Sequence, residues 1–227
     1  MSALIFDTET TGGNPPALIE AAWIKFEGDE GLDLRPSSTF EQRYNPGVPS
    51  TFGALATHHI LDAELRDCPP PSEFALPEDV NFLVGHNVDY DWAVIGKPRV
   101  RLICTLALSR SLLPTLDSHS LGALAYYLLG DEARPLLKEA HSAAADCEVT
   151  RHVLRHLVGY LRAQGMAPTW DALYEASERA RVPTVISFGK HKGTPIAELP
   201  GDYVSWLLRQ PDLDPYLKQA LAGDSHD

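Results

Sequence analysis

The sequence predicts an α/β fold, a mixed sheet flanked by helices, followed by a small C-terminal α+β module. Three observations carry this. Strand-length apolar runs follow one another near the N-terminus, and strand-like and helix-like segments then alternate. A long amphipathic stretch stops at Gly165 and Pro168, before a tail of different pattern. At 227 residues the chain can bury a sizeable core, in one domain or in a larger and a smaller one.

Ala3-Leu4-Ile5-Phe6 is short, apolar and closed by the turn-like Thr11-Gly12-Gly13-Asn14-Pro15, so it reads as a buried strand over about residues 3–9. Strands over about 18–27 and 37–44 would complete an antiparallel meander, with two more at about 81–86 and 100–104. Helices are expected near 50–57, 89–94, 105–113, 119–129 and 142–164, the last from the helical spacing of Val149, Val153, Leu157, Val158 and Leu161. Pro69-Pro70-Pro71 marks an extended connection. The expected organisation is a domain over 1–164, a linker over 165–183 with a connector helix near 170–181, and a module over 184–223. In that module Ile186 to Ile196 reads as a hairpin or strand-turn unit, and Leu199 to Leu208 carries an amphipathic helix.

Three stretches place carboxylates on these apolar elements, where a negative charge is costly unless something neutralises it. Asp7 and Glu9 end the first strand. Residues two apart on a strand share a face, so both project the same way, roughly 7 Å apart. Asp91, in His86-Asn87-Val88-Asp89-Tyr90-Asp91, follows the strand Phe82-Leu83-Val84 and falls in the first turn of a short helix, near the positive end of its dipole. His141 and Asp146 could not serve one site from a single helix, because five residues turn their directions roughly 140° apart. His141 is therefore expected in the loop before the helix and Asp146 in its first turns. Each piece alone is an ordinary strand end or surface histidine. Together, in this order, they point to a pair of divalent cations.

The three stretches resemble motifs I, II and III of the DnaQ-like family, the DEDDh type of 3′-to-5′ exonuclease, over about the first 165 residues. The resemblance implies a ribonuclease-H-like sheet, metal ligands at Asp7, Glu9, Asp91 and Asp146, and a general base at His141. The sister type with tyrosine would carry it one position later, where this chain has Ser142. It also implies contacts to the terminal nucleotide from Thr10, Thr11 and Gly12, where glycine admits a close approach of backbone to ligand, and from His86 and Asn87. The tail, with Phe188-Gly189-Lys190-His191-Lys192-Gly193 and Asp202-Tyr203-Val204-Ser205-Trp206-Leu207, is similar to the small module of exonuclease-X-like enzymes. Phe188, Lys190 and Lys192 are its candidate nucleic-acid contacts, and Trp206 a further ring for stacking.

Phosphodiester hydrolysis needs an activated water in line with the leaving oxygen, and two cations about 3.5–4 Å apart can supply the charge stabilisation on both sides. Four ionised carboxylates carry about −4, which two Mg²⁺ ions would balance. Mg²⁺ is the expected ion and Mn²⁺ its expected substitute, since the ligands are hard oxygens with no cysteine among them. A histidine, titrating near neutrality, suits the removal of a proton from the attacking water.

The net charge of −12 argues against a nucleic-acid ligand, because affinity for a phosphate backbone comes from Lys and Arg. Part of it is the acidic cluster itself. Local basic groups are Lys97, Arg99 and Arg101, and Lys190, His191 and Lys192. Cys68, Cys104 and Cys147 are odd in number and widely spaced, neither a disulfide framework nor a zinc signature. With no leader and no run long enough to cross a bilayer, no membrane partner and a cytoplasmic location are expected. The expected activity is a metal-dependent 3′-to-5′ exonuclease on DNA ends, single-stranded or duplex, releasing nucleoside 5′-monophosphates, with DNA repair as the expected setting. The alternatives are an RNA 3′-end trimming exonuclease, a polymerase proofreading subunit, or an inactive DNA-end-binding module. The oligomeric state is open, with a homodimer allowed.

Overall fold

The computed structural model describes residues 1–28, 30–139, 141–186 and 188–223, with the side chains of Glu30 and Glu139 left out; Ser187, inside the expected hairpin stretch, lies outside the described residues. Five strands form one sheet: β1 (Ser2–Thr10), β2 (Leu18–Glu27), β3 (Ser38–Arg43), β4 (Val80–Gly85) and β5 (Arg101–Cys104). Their order is β3-β2-β1-β4-β5. The first three pair antiparallel as a meander, and β4 and β5 add in parallel beyond β1. The mixed sheet expected from the apolar runs is thus present.

β1 is the middle strand, so Ala3-Leu4-Ile5-Phe6 is buried on both faces, as its unbroken apolar run requires. Alternation sends Leu4 and Phe6 to one face and Ile5, Asp7 and Glu9 to the other. On the first face Phe74 stacks on Phe6 at 5.7 Å between ring centroids and meets Phe40 and Tyr44. Helices follow in chain order: α1 (Phe52–His58), α2 (Asp89–Val94), α3 (Thr105–Leu112), α4 (Leu121–Leu129), α5 (Ala133–Leu136) and α6 (Ala143–Ala163). α6 packs across β1 and β2 with a buried stripe of Val149, Val153, Leu154, Leu157, Val158 and Leu161. Ser142 caps it, its Oγ accepting from Ala145 N–H, which fixes where the helix begins.

The chain divides into two compact units, Met1–Ser177 and Glu178–Asp227. The connector helix expected near 170–181 is α7 (Trp170–Arg181), which belongs to the first unit as far as Ser177. Its apolar face demands this: Trp170 packs against Phe26 and Phe82, Leu173 is fully buried, and Ser177 Oγ accepts from Cys104 N–H at 2.8 Å. In the second unit, a narrow hairpin joins Ile186 N–H to Thr194 O and Gly193 N–H to Ile186 O. Two helices, α8 (Gly201–Leu207) and α9 (Pro215–Ala222), close a small core of Ile186, Leu207 and Leu217 on it. Among the described residues, no helix is long and apolar enough to cross a membrane.

Candidate active site

Asp7 and Glu9 leave β1 on the face that α6 covers, and Asp146 descends from the first turn of α6 towards them. One oxygen from each of the three lies within 4.8 Å of the other two. Asp91 comes from the opposite flank. β4 stops pairing with β1 at Ile5, and Gly85 then lets the chain turn away: a Cβ there would stand 3.1 Å from Phe6 O and from Val88. Further along β1, Thr8 N–H donates to Asp91 Oδ1 at 3.0 Å, and Thr8 Oγ1 does so at 2.6 Å. Buried Asp91 is thereby fastened to the residue between Asp7 and Glu9.

The electrostatics of the group are those of crowded, poorly hydrated negative charge. Burial, then the charges of Asp91, Asp146, Glu9 and Glu20, hold the Asp7 carboxyl well above the usual carboxylate range. Burial, followed by Asp146, Glu20 and Asp91, pushes Glu9 to about 8. Asp91 rises to about 6 by burial, against the lowering pull of its two bonds from Thr8. Asp146 rises by burial too, opposed by His141 N–H, which donates to its Oδ1 at 3.4 Å. Four hard-oxygen donors whose charge repels itself fit a divalent cation, whose binding would remove both the repulsion and the protons.

His141 sits in the turn before α6 with φ of 70°, exposed, its backbone bonded to Asp146. The loop after β1 is tied down: Thr11 N–H donates to Ala17 O, and Thr51 N–H donates to Thr11 O. Gly12 has φ of +67°, and a Cβ on it would lie 2.5 Å from Thr51 Oγ1, so the loop closes on α1 only with glycine. Thr10 Oγ1 shares a hydrogen bond with Tyr90 Oη at 2.8 Å.

His86, expected at the nucleotide, has both ring nitrogens engaged within the fold. Nδ1 bonds to Thr105 Oγ1 and Nε2 to His119 O, so neither ring nitrogen faces outward, and burial lowers its pKa to about 4. It braces the end of β4 as a neutral ring, leaving exposed Asn87 beside it, with φ of 70°. Arg101 is likewise engaged, ion-paired with Asp171 and seated over the Phe82 ring at 4.1 Å. Lys97 lies over the Trp92 ring at 5.5 Å. Phe188, Lys190 and Lys192 are exposed on the hairpin of the second unit, where His191, Tyr203 and Trp206 form a row of rings at 4.4 and 5.6 Å.

Three residues at the site were absent from the expected set. Thr8 orients Asp91, Tyr90 meets Thr10, and Glu20, fully buried, pairs across the sheet with Glu9. Glu20 alone carried a readable signal, a charge in the apolar run Leu18-Ile19-Glu20-Ala21-Ala22.

Residues 4–154 match the exonuclease family, RNase_T. Exodeoxyribonuclease 10 of Escherichia coli (strain K12) is 25% identical to the chain over 223 residues, 96% of each protein. Exonuclease X, solved in complex with 5′ overhanging duplex DNA, superimposes with a TM-score of 0.56 at 24% identity, over 77% of this chain and 99% of that one. The nuclease domain of 3′hExo, a DEDDh family member bound to rAMP, gives 0.53 at 11% identity, over 70% and 92%. These two likenesses are of fold.

Proposed function

The chain belongs to the exonuclease family, and on that premise we propose that it removes nucleoside 5′-monophosphates one at a time from DNA 3′ ends, with two Mg²⁺ ions as its working metals. The observation that carries this is the convergence of Asp7, Glu9 and Asp146, with Asp91 fastened alongside through Thr8.

Asp7, Glu9, Asp91 and Asp146 would hold the metals, which supply charge stabilisation for the attacking and leaving oxygens of an in-line displacement. Everything else falls to side chains. Thr8 keeps Asp91 from turning away from the group. The imidazole of His141, exposed beside Asp146, takes the proton of the attacking water. The phosphodiester bond to the 3′ oxygen of the penultimate nucleotide then breaks, leaving that strand with a free 3′ hydroxyl. Thr10, Thr11 and Gly12, on their pinned loop, and Asn87 line the approach for the terminal nucleotide.

The second unit supplies a grip on the strand away from the cut, through Lys190 and Lys192 on the hairpin and through the exposed faces of Phe188 and Trp206. It carries six Lys and Arg against seven Asp and Glu in residues 178–227, so most of the chain's −12 lies elsewhere. The setting that suits such an enzyme is DNA repair.

The test is a 5′-labelled DNA oligonucleotide incubated with the protein in Mg²⁺, beside a matched RNA. The expected result is a ladder shortening from the 3′ end, with nucleoside 5′-monophosphate released and no product in EDTA. Faster cutting of the RNA would transfer the assignment to RNA trimming, and an intact DNA would refute it.

A further inference from the structure

We propose that Glu20 is a positioning residue of the active site, holding the first turn of α6 so that Asp146 and His141 meet the carboxylates of β1. This rests on the nuclease reading of those residues.

Glu20 is the third residue of β2 and is fully buried, an expensive place for a carboxylate unless every oxygen is engaged. Both are. Oε1 accepts from Arg43 Nε at 2.9 Å, across the β2–β3 register that sets the two residues opposite each other. Oε2 accepts from Ala143 N–H at 2.9 Å. Ala143 is the first residue of α6, three before Asp146 and two after His141.

The bond to Ala143 uses a helix N–H that has no partner within the helix, and it sets a negative group at the positive end of the dipole. Its effect is on placement. α6 already has its Ser142 cap and a long buried stripe, which are enough to make it a helix. One turn on, Cys147 Sγ donates to Ala22 O at 3.4 Å and to Ile5 O at 3.7 Å, and Glu20 adds the hold on the first residue of the helix. On β2, Glu20 pairs directly with Glu9, so one side chain ties the strand position opposite Glu9 to the turn that carries Asp146. Arg43 supplies the countercharge and is itself steadied by Glu64, whose Oε1 accepts from Nη1 at 3.0 Å. With one oxygen on Arg43 and the other on Ala143, Glu20 acts through α6.

The experiment compares full-length Glu20→Ala, Glu20→Gln and Ala143→Pro with the unmodified chain, by hydrogen exchange over residues 141–147 and by kcat on a DNA oligonucleotide in Mg²⁺. Glu20→Ala is expected to speed exchange in the first turn while the rest of α6 stays protected, and to lower kcat by up to ~10²-fold, the scale of a small misplacement. Glu20→Gln, which retains a carbonyl acceptor for Ala143 N–H, is expected to restore both to within a few-fold. Ala143→Pro removes the donor at a helix position that accommodates proline, and should lower kcat without melting α6. Unchanged exchange in Glu20→Ala, a folded Glu20→Gln as inactive as the alanine variant, or a fully active Ala143→Pro would each overturn the proposal. If the unmodified chain cut no nucleic acid, the nuclease reading would fall while the exchange data still decided the tether.

Discussion

Asp91 and Thr8 are joined twice: one carboxylate oxygen accepts both the amide and the hydroxyl of a threonine that stands between two other acidic residues. The chain thereby converts a backbone N–H left over where β4 departs into a clamp on a buried acid. Removing the hydroxyl alone tests the clamp. Thr8→Val keeps the volume but loses a bond to a charged group, worth about 1.5–3 kcal/mol. Asp91, already at about 6, should then titrate higher, so the pH at which Mn²⁺ half-saturates the protein should rise, with Thr8→Ser restoring it. Mn²⁺ titrations between pH 5 and pH 9 measure this, and an identical profile for the valine variant would contradict it.

Glu9 and Asp91 stand at about 8 and about 6 in the metal-free protein, above the ordinary 4.5 and 3.8. A folded value above the unfolded one means that the native state binds more protons between the two. The stability these groups confer is therefore full below about pH 4 and is lost as pH climbs through 6 and then 8. In EDTA the Tm should fall from pH 5 to pH 9, and the rise in Tm on adding Mg²⁺ should grow over the same window. Thermal scans with and without Mg²⁺ across that range are the check. A Mg²⁺ effect that did not change with pH would count against the coupling of metal and protons.

The bond from His141 to Asp146 is made by the backbone N–H, so the ring can be removed without breaking it. His141→Ala should lower kcat by about 10²- to 10⁴-fold, the usual cost of a lost general base. It should leave the Mg²⁺-induced rise in Tm near that of the unmodified chain. Asp7→Ala should abolish both. Equal activity of His141→Ala and the unmodified protein across pH 6 to pH 9 would remove His141 from its role.

Gly12 closes the loop after β1 on Thr51 with left-handed backbone. Gly12→Ala adds a strain of about 1–2 kcal/mol for the backbone alone, and its Cβ must displace the Thr51 hydroxyl. A lower urea midpoint and a raised KM are expected, since Thr10 and Thr11 move with the loop. A variant with unchanged midpoint and KM would show that the close approach is unimportant.

On the second unit, Trp206→Ala should weaken binding of a long single-stranded DNA by about 1–3 kcal/mol, the worth of a base stacked on an aromatic ring. Substituting Lys190 and Lys192 together by alanine should flatten the salt dependence of that binding. Hydrolysis of a dinucleotide should be untouched by either change. Fluorescence anisotropy over a salt series separates these effects, and unaltered affinity for the long strand would rule out a grip by the hairpin.

Much of this architecture was legible because the apolar run ending in Asp7 and Glu9 reads as a buried strand, and the other two stretches, in order, turn its strand end into part of a site. The apolar stripe from Val149 to Leu161 placed a helix over 142–164, and α6 runs from Ala143 to Ala163. What could not be read depended on partners far away in the chain. His86 was expected to contact the terminal nucleotide, and the sequence did not show that Thr105 and the carbonyl of His119 engage its ring nitrogens. Trp170 and Ser177 looked like parts of a connector, but Trp170 packs against Phe26 and Phe82 of the sheet and Ser177 accepts from Cys104 N–H. Glu20 was visible as an anomaly, yet its purpose lies 123 residues on, at Ala143.

The most direct measurement is the anomalous scattering of Mn²⁺ soaked into crystals of the protein. The account predicts manganese peaks bounded by Asp7, Glu9, Asp91 and Asp146, lost in an Asp7→Ala crystal. Manganese bound elsewhere, or none among these four carboxylates at saturating concentration, would contradict it.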